Sequence, residues 1–465
     1  MRYLLVLILL SFCSFKAFAQ IRLPALFTDG MVLQQNTEAK IWGSAAAKEH
    51  VRVKTSWNHR SYRVRADESG HWHLRLSTPP AGGPYQIEIS GNNHIILKDV
   101  LVGEVWVCSG QSNMDMPVKG YFNSPVLHSN EILLHSPNKN IRLFKVAKKT
   151  SDSPLDSLMG VWQQANPASV GNFSAVGYLF GRDLQAFLNV PVGIIQSTWG
   201  GTPIEAWMGT KALENVSQKH ELKGGATSTA VHQVPSHLYN GMIAPVTGYG
   251  IAGVLWYQGE QNRHNYEDYR WLLPEMVQSW RSGWGIGEWP FFYVEIAPMA
   301  YPEKQRHLVP LLREVQWKLA SEIPNAGMAV SVDAGDIHNI HPAKKELIAS
   351  RLLALALQRR YGQVTPSSAP YFRSVIVEGN RLKVCFSNLQ MGLSSFGKNL
   401  TDFEIAGSDR VFHPAEAEIK DGEVIVCSEK VNQPVAVRYS FKDWVTGSLF
   451  GVTGFPVAPF RSDDW

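Results

Sequence analysis

The feature that most constrains this chain is its rhythm between about Leu101 and Gly362. Short apolar runs alternate there with long stretches whose apolar residues recur at helical spacing. The runs include "EVWVCSG" (104–110), "VPVGIIQSTWGG" (190–201), "GIAGVLWYQGE" (250–260), "PFFYVEIAP" (290–298) and "GMAVSVDAG" (327–335). The amphipathic stretches include "FSAVGYLFGRDLQAFLN" (173–189), "NYEDYRWLLPEMVQSW" (265–280), "QRHLVPLLREVQWKLASEI" (305–323) and "AKKELIASRLLALALQRRYG" (343–362). Strands without internal alternation, separated by helices, predict an α/β fold: a parallel sheet covered by helices on both faces.

The flanks read differently. Residues 1–19, "MRYLLVLILLSFCSFKAFA", have a basic start, an apolar centre and a small-x-small end. This predicts a secretory signal peptide cleaved after Ala19, and a secreted or periplasmic protein. It is short for a transmembrane helix, and no other stretch is long and apolar enough to span a membrane. Residues 20–100 carry short strand-like segments and turn residues, an expected N-terminal β-sandwich region; "DESGHW" marks a hairpin. Residues 101–364 form the expected α/β domain. After the "TPSSAP" linker the β rhythm returns, so 365–465 are expected to be a C-terminal β-region.

Composition excludes a few classes. The 465 residues are 45% hydrophobic and 18% charged, a folded composition, and the net charge of +4 provides no strong field for nucleic acid. Removal of the leader takes Cys13 and leaves Cys108, Cys385 and Cys427. Cys385 and Cys427 lie in strand-like text and are either a disulfide or two buried thiols. No Cys/His cluster has zinc spacing, so neither metal nor cofactor is expected.

In an open α/β sheet, ligands bind beyond the carboxyl ends of the strands. Four strand ends here carry chemistry: Ser109-Gly110-Gln111-Ser112, Thr198 to Thr202, Tyr257 to Asn262, and Asp333 to His341. They supply a hydroxyl, bare glycine backbone, an amide side chain, and acids with histidines. These are the components of acyl transfer. Each has a plainer reading. Ser112 is also a good helix N-cap, Gly200-Gly201 a tight turn, Gln258 a structural bridge, and His341 a residue flanking a helix that Pro342 opens.

The motifs together resemble the SGNH-hydrolase superfamily, in the variant found in sialate O-acetylesterase-like carbohydrate esterases. The matching blocks are "GQSNM" (110–114), "GGTPIEAW" (200–207), "LYNGMIAPV" (238–246), "WYQGEQN" (256–262) and "IHPAKK" (340–345), with "LFTDGMVLQQ" (26–35) resembling the opening β-region. The resemblance implies a flavodoxin-like sheet and a serine esterase that removes O-acetyl groups from carbohydrates. It implies Ser112 as nucleophile, His341 as base, and Ser112, Gly200 and Gln258 as oxyanion-hole donors, with Gly201 the alternative glycine. The superfamily's acid often stands three residues before the histidine, where this chain has His338. The nearest acids are Asp336, which follows Gly335 in the loop that carries His341 and is ranked first as the triad acid, and Asp333, in or just beyond the last strand and ranked second; a Ser–His dyad is third. The expected partner is an O-acetylated carbohydrate, sialic acid first, acetylated xylan or pectin as alternatives. A non-catalytic carbohydrate-binding protein and a lipase or thioesterase are the competing classes. The oligomeric state has no sequence signal.

Overall fold

A single 17-residue strand joins two parts of the molecule. The computed structural model describes residues 20–224, 230–301, 308–364 and 366–465; the expected leader, 1–19, and Thr365 of the expected linker lie outside the described residues. Seven strands make the central path: β1 (His94–Gly110), β2 (Asn138–Lys145), β3 (Trp162–Ala165), β4 (Val192–Thr198), β5 (Gly253–Tyr257), β6 (Phe291–Val294) and β7 (Ala326–Ala329). Their spatial order is β7-β6-β5-β1-β4-β2-β3. All neighbours are parallel except β2 and β3.

β1 begins in another neighbourhood. Its first half pairs antiparallel with Gly82–Ser90, and residues 101–103 pair parallel with Val32–Gln34. Strands His50–Thr55 and Ser61–Arg65 extend that side, and Glu38–Ser44 pairs with His71–Ser77. The second half of β1 enters the parallel sheet between β4 and β5. The β-rich N-terminal segment is thus tied through one continuous strand to the end at Gly110.

Six helices position the site: α1 (Ser112–Asp115), α2 (Ala175–Leu188), α3 (Thr210–Lys219), α4 (Tyr266–Trp284), α5 (Leu308–Glu322) and α6 (Lys345–Arg359). Successive side chains of a strand point to opposite faces, so each strand feeds two cores. Val105, Val107, Val254 and Trp256 pack with Ala212 of α3, Leu272 of α4 and Leu312 of α5. Trp106, Cys108, Leu255 and Tyr257 pack with Leu179 of α2 and Leu352 of α6. Both faces are covered, which is why the sequence runs show no polar alternation.

The C-terminal segment holds two four-stranded antiparallel sheets around a core that includes Val384, Ile405, Val426 and Tyr439. Arg313 of α5 anchors it. This buried guanidinium donates to the carbonyls of Lys442 at 3.0 Å and Asp443 at 3.2 Å. Arg461 and Glu314 add an ion pair at 2.9 Å. Among the described residues no helix is long and apolar enough to cross a membrane.

Cys108, Cys385 and Cys427 are free thiols. The disulfide alternative fails on register: Cys427 stands opposite Arg381, four residues along the strand from Cys385. At about 3.3 Å per residue that separation exceeds the reach of a disulfide.

Trp106 is the largest side chain buried under α2. It is fully buried, packs edge-on to Phe180 at 5.0 Å, and donates to the Tyr361 hydroxyl at 3.1 Å. Trp106→Ala leaves a cavity and removes one of the two hydrogen bonds of the Tyr361 hydroxyl, which still donates to Glu104, and is expected to cost about 3–5 kcal/mol in chemical denaturation.

Candidate active site

The parallel register brings three strand ends together. Gly110, the last residue of β1, stands opposite Thr198 of β4 and Tyr257 of β5. Its φ is +129°, and a β-carbon there would collide with the Tyr257 carbonyl, so only glycine fits. The backbone then ties the three ends: Gln111 N donates to Tyr257 O at 3.0 Å, and Trp199 N donates to Gly110 O at 3.1 Å. The Gln111 side-chain oxygen accepts from the amides of Gly259 at 3.2 Å and Gln261 at 3.3 Å.

Ser112 is the first residue of α1, not its cap. Gln111 holds the N-cap position, without a side-chain capping bond. The plainer reading of Ser112 as a cap is therefore set aside. Gly200 lies against it: a β-carbon on Gly200 would stand 3.2 Å from the Ser112 β-carbon. Among the described residues, the backbone amides of Ser112 and Gly200 have no acceptor, whereas that of Trp199 is engaged. Two unengaged amides beside one hydroxyl can receive an oxyanion.

His341 comes from the loop after β7. Its amide donates to Asn339 Oδ1 at 2.9 Å, and its ring packs edge-on to Tyr121 at 5.2 Å. Nε2 is buried and has no hydrogen-bond partner, so the serine hydroxyl is not yet engaged with it. Such contacts often tighten only when substrate is bound. Burial, with the Lys345 cation as second cause, pushes the imidazole down to about 4. At neutral pH the ring is therefore a free base. The loop is joined to the serine turn by Asn113, whose Nδ2 donates to the Ile340 carbonyl at 2.9 Å.

The structure differs from the sequence expectations in four places. Gln258 is fully buried, and its side-chain amide donates to Thr202 O at 3.1 Å and Asn262 Oδ1 at 2.7 Å. Both amide hydrogens are engaged, so it braces the neighbouring strand ends instead of offering an oxyanion donor. Asp333 is held by Arg351 in a bidentate pair, both bonds at 2.7 Å. Asp336 folds back on its own loop and accepts from the amides of His338 at 2.9 Å and Asn339 at 3.1 Å. Among the described residues no carboxylate lies in ion-pair range of His341. The closing helix starts at Lys345, so Pro342 and His341 belong to an irregular segment before it.

Sequence reasoning missed the polar residues inside its own motifs. Asp115 is one. Its Oδ1 accepts from Thr198 Oγ1 at 2.6 Å, and its Oδ2 from Lys148 Nζ at 2.8 Å and the Tyr121 hydroxyl at 3.2 Å. It ties β4 to the residues around Tyr121. Asn113, Glu260 and Lys345 are the others. The signal was present, since each stands within four residues of one that was singled out. Among the described residues, no group of three or more His, Cys, Asp or Glu is placed to hold a metal.

The chain is similar to known proteins. The model of one family, "Carbohydrate esterase, sialic acid-specific acetylesterase", matches residues 102–353. The sialate O-acetylesterase of Mus musculus is 30% identical over 423 residues, covering 77% of each chain. That of Homo sapiens is 29% identical over 400 residues, covering 77% of this chain and 75% of the human one. A crystal structure described as a novel carbohydrate acetylesterase from Xanthomonas citri is 35% identical, with a TM-score of 0.88, over 96% of this chain and 100% of that one. The chain belongs to the sialic acid-specific acetylesterase family of carbohydrate esterases and is a carboxylic ester hydrolase.

Proposed function

We propose that this protein is a secreted or periplasmic serine esterase that removes O-acetyl groups from carbohydrates, with O-acetylated sialic acid as the first substrate and acetylated xylan or pectin as the alternatives. The observation that carries the reading is the corner where Ser112, the amide of Gly200 and the loop of His341 converge on one end of the sheet. Ser112 Oγ attacks the acetyl carbonyl and its proton passes to His341. The carbonyl oxygen becomes an oxyanion and is held by the amides of Ser112 and Gly200. His341 then protonates the departing sugar oxygen, leaving an acetyl-serine. Water, deprotonated by the same ring, releases acetate and restores the hydroxyl. Among the acid alternatives weighed, the dyad fits best, because Asp333 and Asp336 are both committed elsewhere. No step calls on a metal or cofactor.

A carbohydrate needs a surface beside this corner. Phe122 follows Tyr121, the ring that packs on His341, and is 93% exposed. An aromatic side chain left in water next in sequence to the residue that packs on the base suits the apolar face of a pyranose ring. We therefore assign it to binding of the sugar chain.

Four measurements test the reading. Wild-type enzyme should release acetate from at least one of acetylated sialosides, xylan and pectin. Ser112→Ala should fold normally and lose at least about a thousandfold in kcat; retained turnover would sink the serine mechanism. The pH profile follows from His341. The ring acts as a base only when unprotonated, and it is held down to about 4. The acid limb of kcat/KM should therefore fall near pH 4, well below the usual histidine value of about 6.5. Finally, Phe122→Ala should raise KM for the acetylated polysaccharide and leave p-nitrophenyl acetate hydrolysis unchanged.

A further inference from the structure

Asn113, the residue after Ser112, is fully buried and stands between two buried charges. Its Oδ1 accepts from Lys345 Nζ at 2.6 Å. Its Nδ2 donates to Glu260 Oε1 at 2.6 Å and to the Ile340 carbonyl at 2.9 Å. Lys345 is 1% exposed and Glu260 is 2% exposed. Neither makes an ion pair among the described residues, and Glu260 Oε2 is buried with no partner at all.

The connectivity is the informative part. Ile340 precedes His341 and Lys345 follows it by four residues. Both are bonded to the same side chain, and that side chain belongs to the residue next to the nucleophile. The histidine segment is therefore pinned at both ends to the serine turn. The bonds also fix the amide's orientation, with its oxygen toward the cation and its nitrogen toward the carboxylate. Burying two ionisable groups is costly and adds little to stability in itself.

We propose that the buried Lys345–Asn113–Glu260 bridge is the positioning device of this active site, clamping the loop that carries His341 onto the turn that carries Ser112 in place of a triad carboxylate. None of the three touches reacting atoms. The proposal rests on the reading of Ser112 and His341 as nucleophile and base.

The bridge acts on the base electrostatically as well. Lys345 faces Glu260 and the ring of Tyr257, 5.7 Å from its centroid. Glu260 is faced by Arg263, whose Nη1 donates to the Glu260 carbonyl at 3.1 Å, and by Tyr257 and Tyr301. His341 is faced by Lys345 and by Tyr121, whose hydroxyl is on Asp115. Burial pulls Lys345 down to about 7, so it is still a cation in the range where His341 titrates. A cation near the imidazole disfavours its protonated form. Removing Lys345 should let the histidine rise part of the way toward its ordinary value, since burial, the larger cause, remains.

The test is kcat and KM for p-nitrophenyl acetate against pH, with circular dichroism and thermal melts. The proteins are the full-length wild type, Ser112→Ala, Lys345→Met and the double variant Glu260→Gln/Lys345→Met. The double variant removes both buried charges, so it should fold even where the single change leaves Glu260 uncompensated. Expected in either folded variant is a kcat loss of roughly 10- to 100-fold, the scale of a misplaced catalytic group. KM should stay close to wild type, and the acid limb should move upward. A folded variant with wild-type kcat and an unmoved acid limb would overturn the proposal. So would a double variant that cannot fold, which would make the bridge a matter of stability. Turnover in Ser112→Ala would instead overturn the serine reading on which the proposal rests. A dead Ser112→Ala beside a fully active Lys345 variant would sink the proposal alone.

Discussion

The constraint on which the rest depends is the ladder that holds Gly110 between Thr198 and Tyr257. Parallel pairing makes the three strands end at one edge. There each backbone must leave the sheet and still satisfy its polar groups. It does so by cross-bonding the ends, Gln111 to Tyr257 and Trp199 to Gly110. Those bonds set how closely Gly200 approaches Ser112. A side chain at Gly110 would push β5 away and open the corner, so the glycine acts on the site without touching it.

Much of this was legible in the sequence. The uninterrupted apolar runs predicted strands covered on both faces, and Val105/Val107 against Trp106/Cys108 divide between two cores as that requires. Of the four strand ends singled out as chemical, those of β1, β4 and β5 are neighbours at one edge, and the loop after β7 is joined to them through Asn113. What the sequence did not disclose is where polar side chains point. Gln258 reads as a donor by residue type, yet its partners are the Thr202 carbonyl, 56 residues away, and Asn262, one helical turn on. Asp333 reads as an available acid, yet Arg351 on α6 faces it. Distant partners decide such orientations, and no local spacing encodes them. The start of α6 failed for a different reason. Pro342 suits a helix start, but the His341 segment is drawn toward Asn339 and Asn113 and stays irregular until Lys345.

The polar residues around the site fall into two layers. Asp115, Thr198, Gln196 and Lys148 bind β1 and β4 to each other on one side. Asn113, Glu260 and Lys345 bind the turn after β1 to the segments after β5 and β7 on the other. Both carboxylates that border the serine turn are thus committed to holding strand ends. Among the described residues, His341 is left with an aromatic neighbour, a nearby cation and no anion in ion-pair range.

That environment changes what the base does best. A carboxylate beside an imidazole raises its basicity and steadies the imidazolium that forms. Burial and a cation do the opposite, and they hold His341 at about 4. On the proposed mechanism, proton removal from Ser112 is then harder, and the oxyanion donors carry more of the load. The gain comes in the next step. A weakly basic imidazole, once protonated, is a strong acid. The group it must protonate is a sugar alkoxide, a poor leaving group that cannot depart without that proton. An acetyl ester of a sugar places its difficulty in losing that alkoxide, and a site whose histidine is held low by burial and a cation favours delivering the proton there.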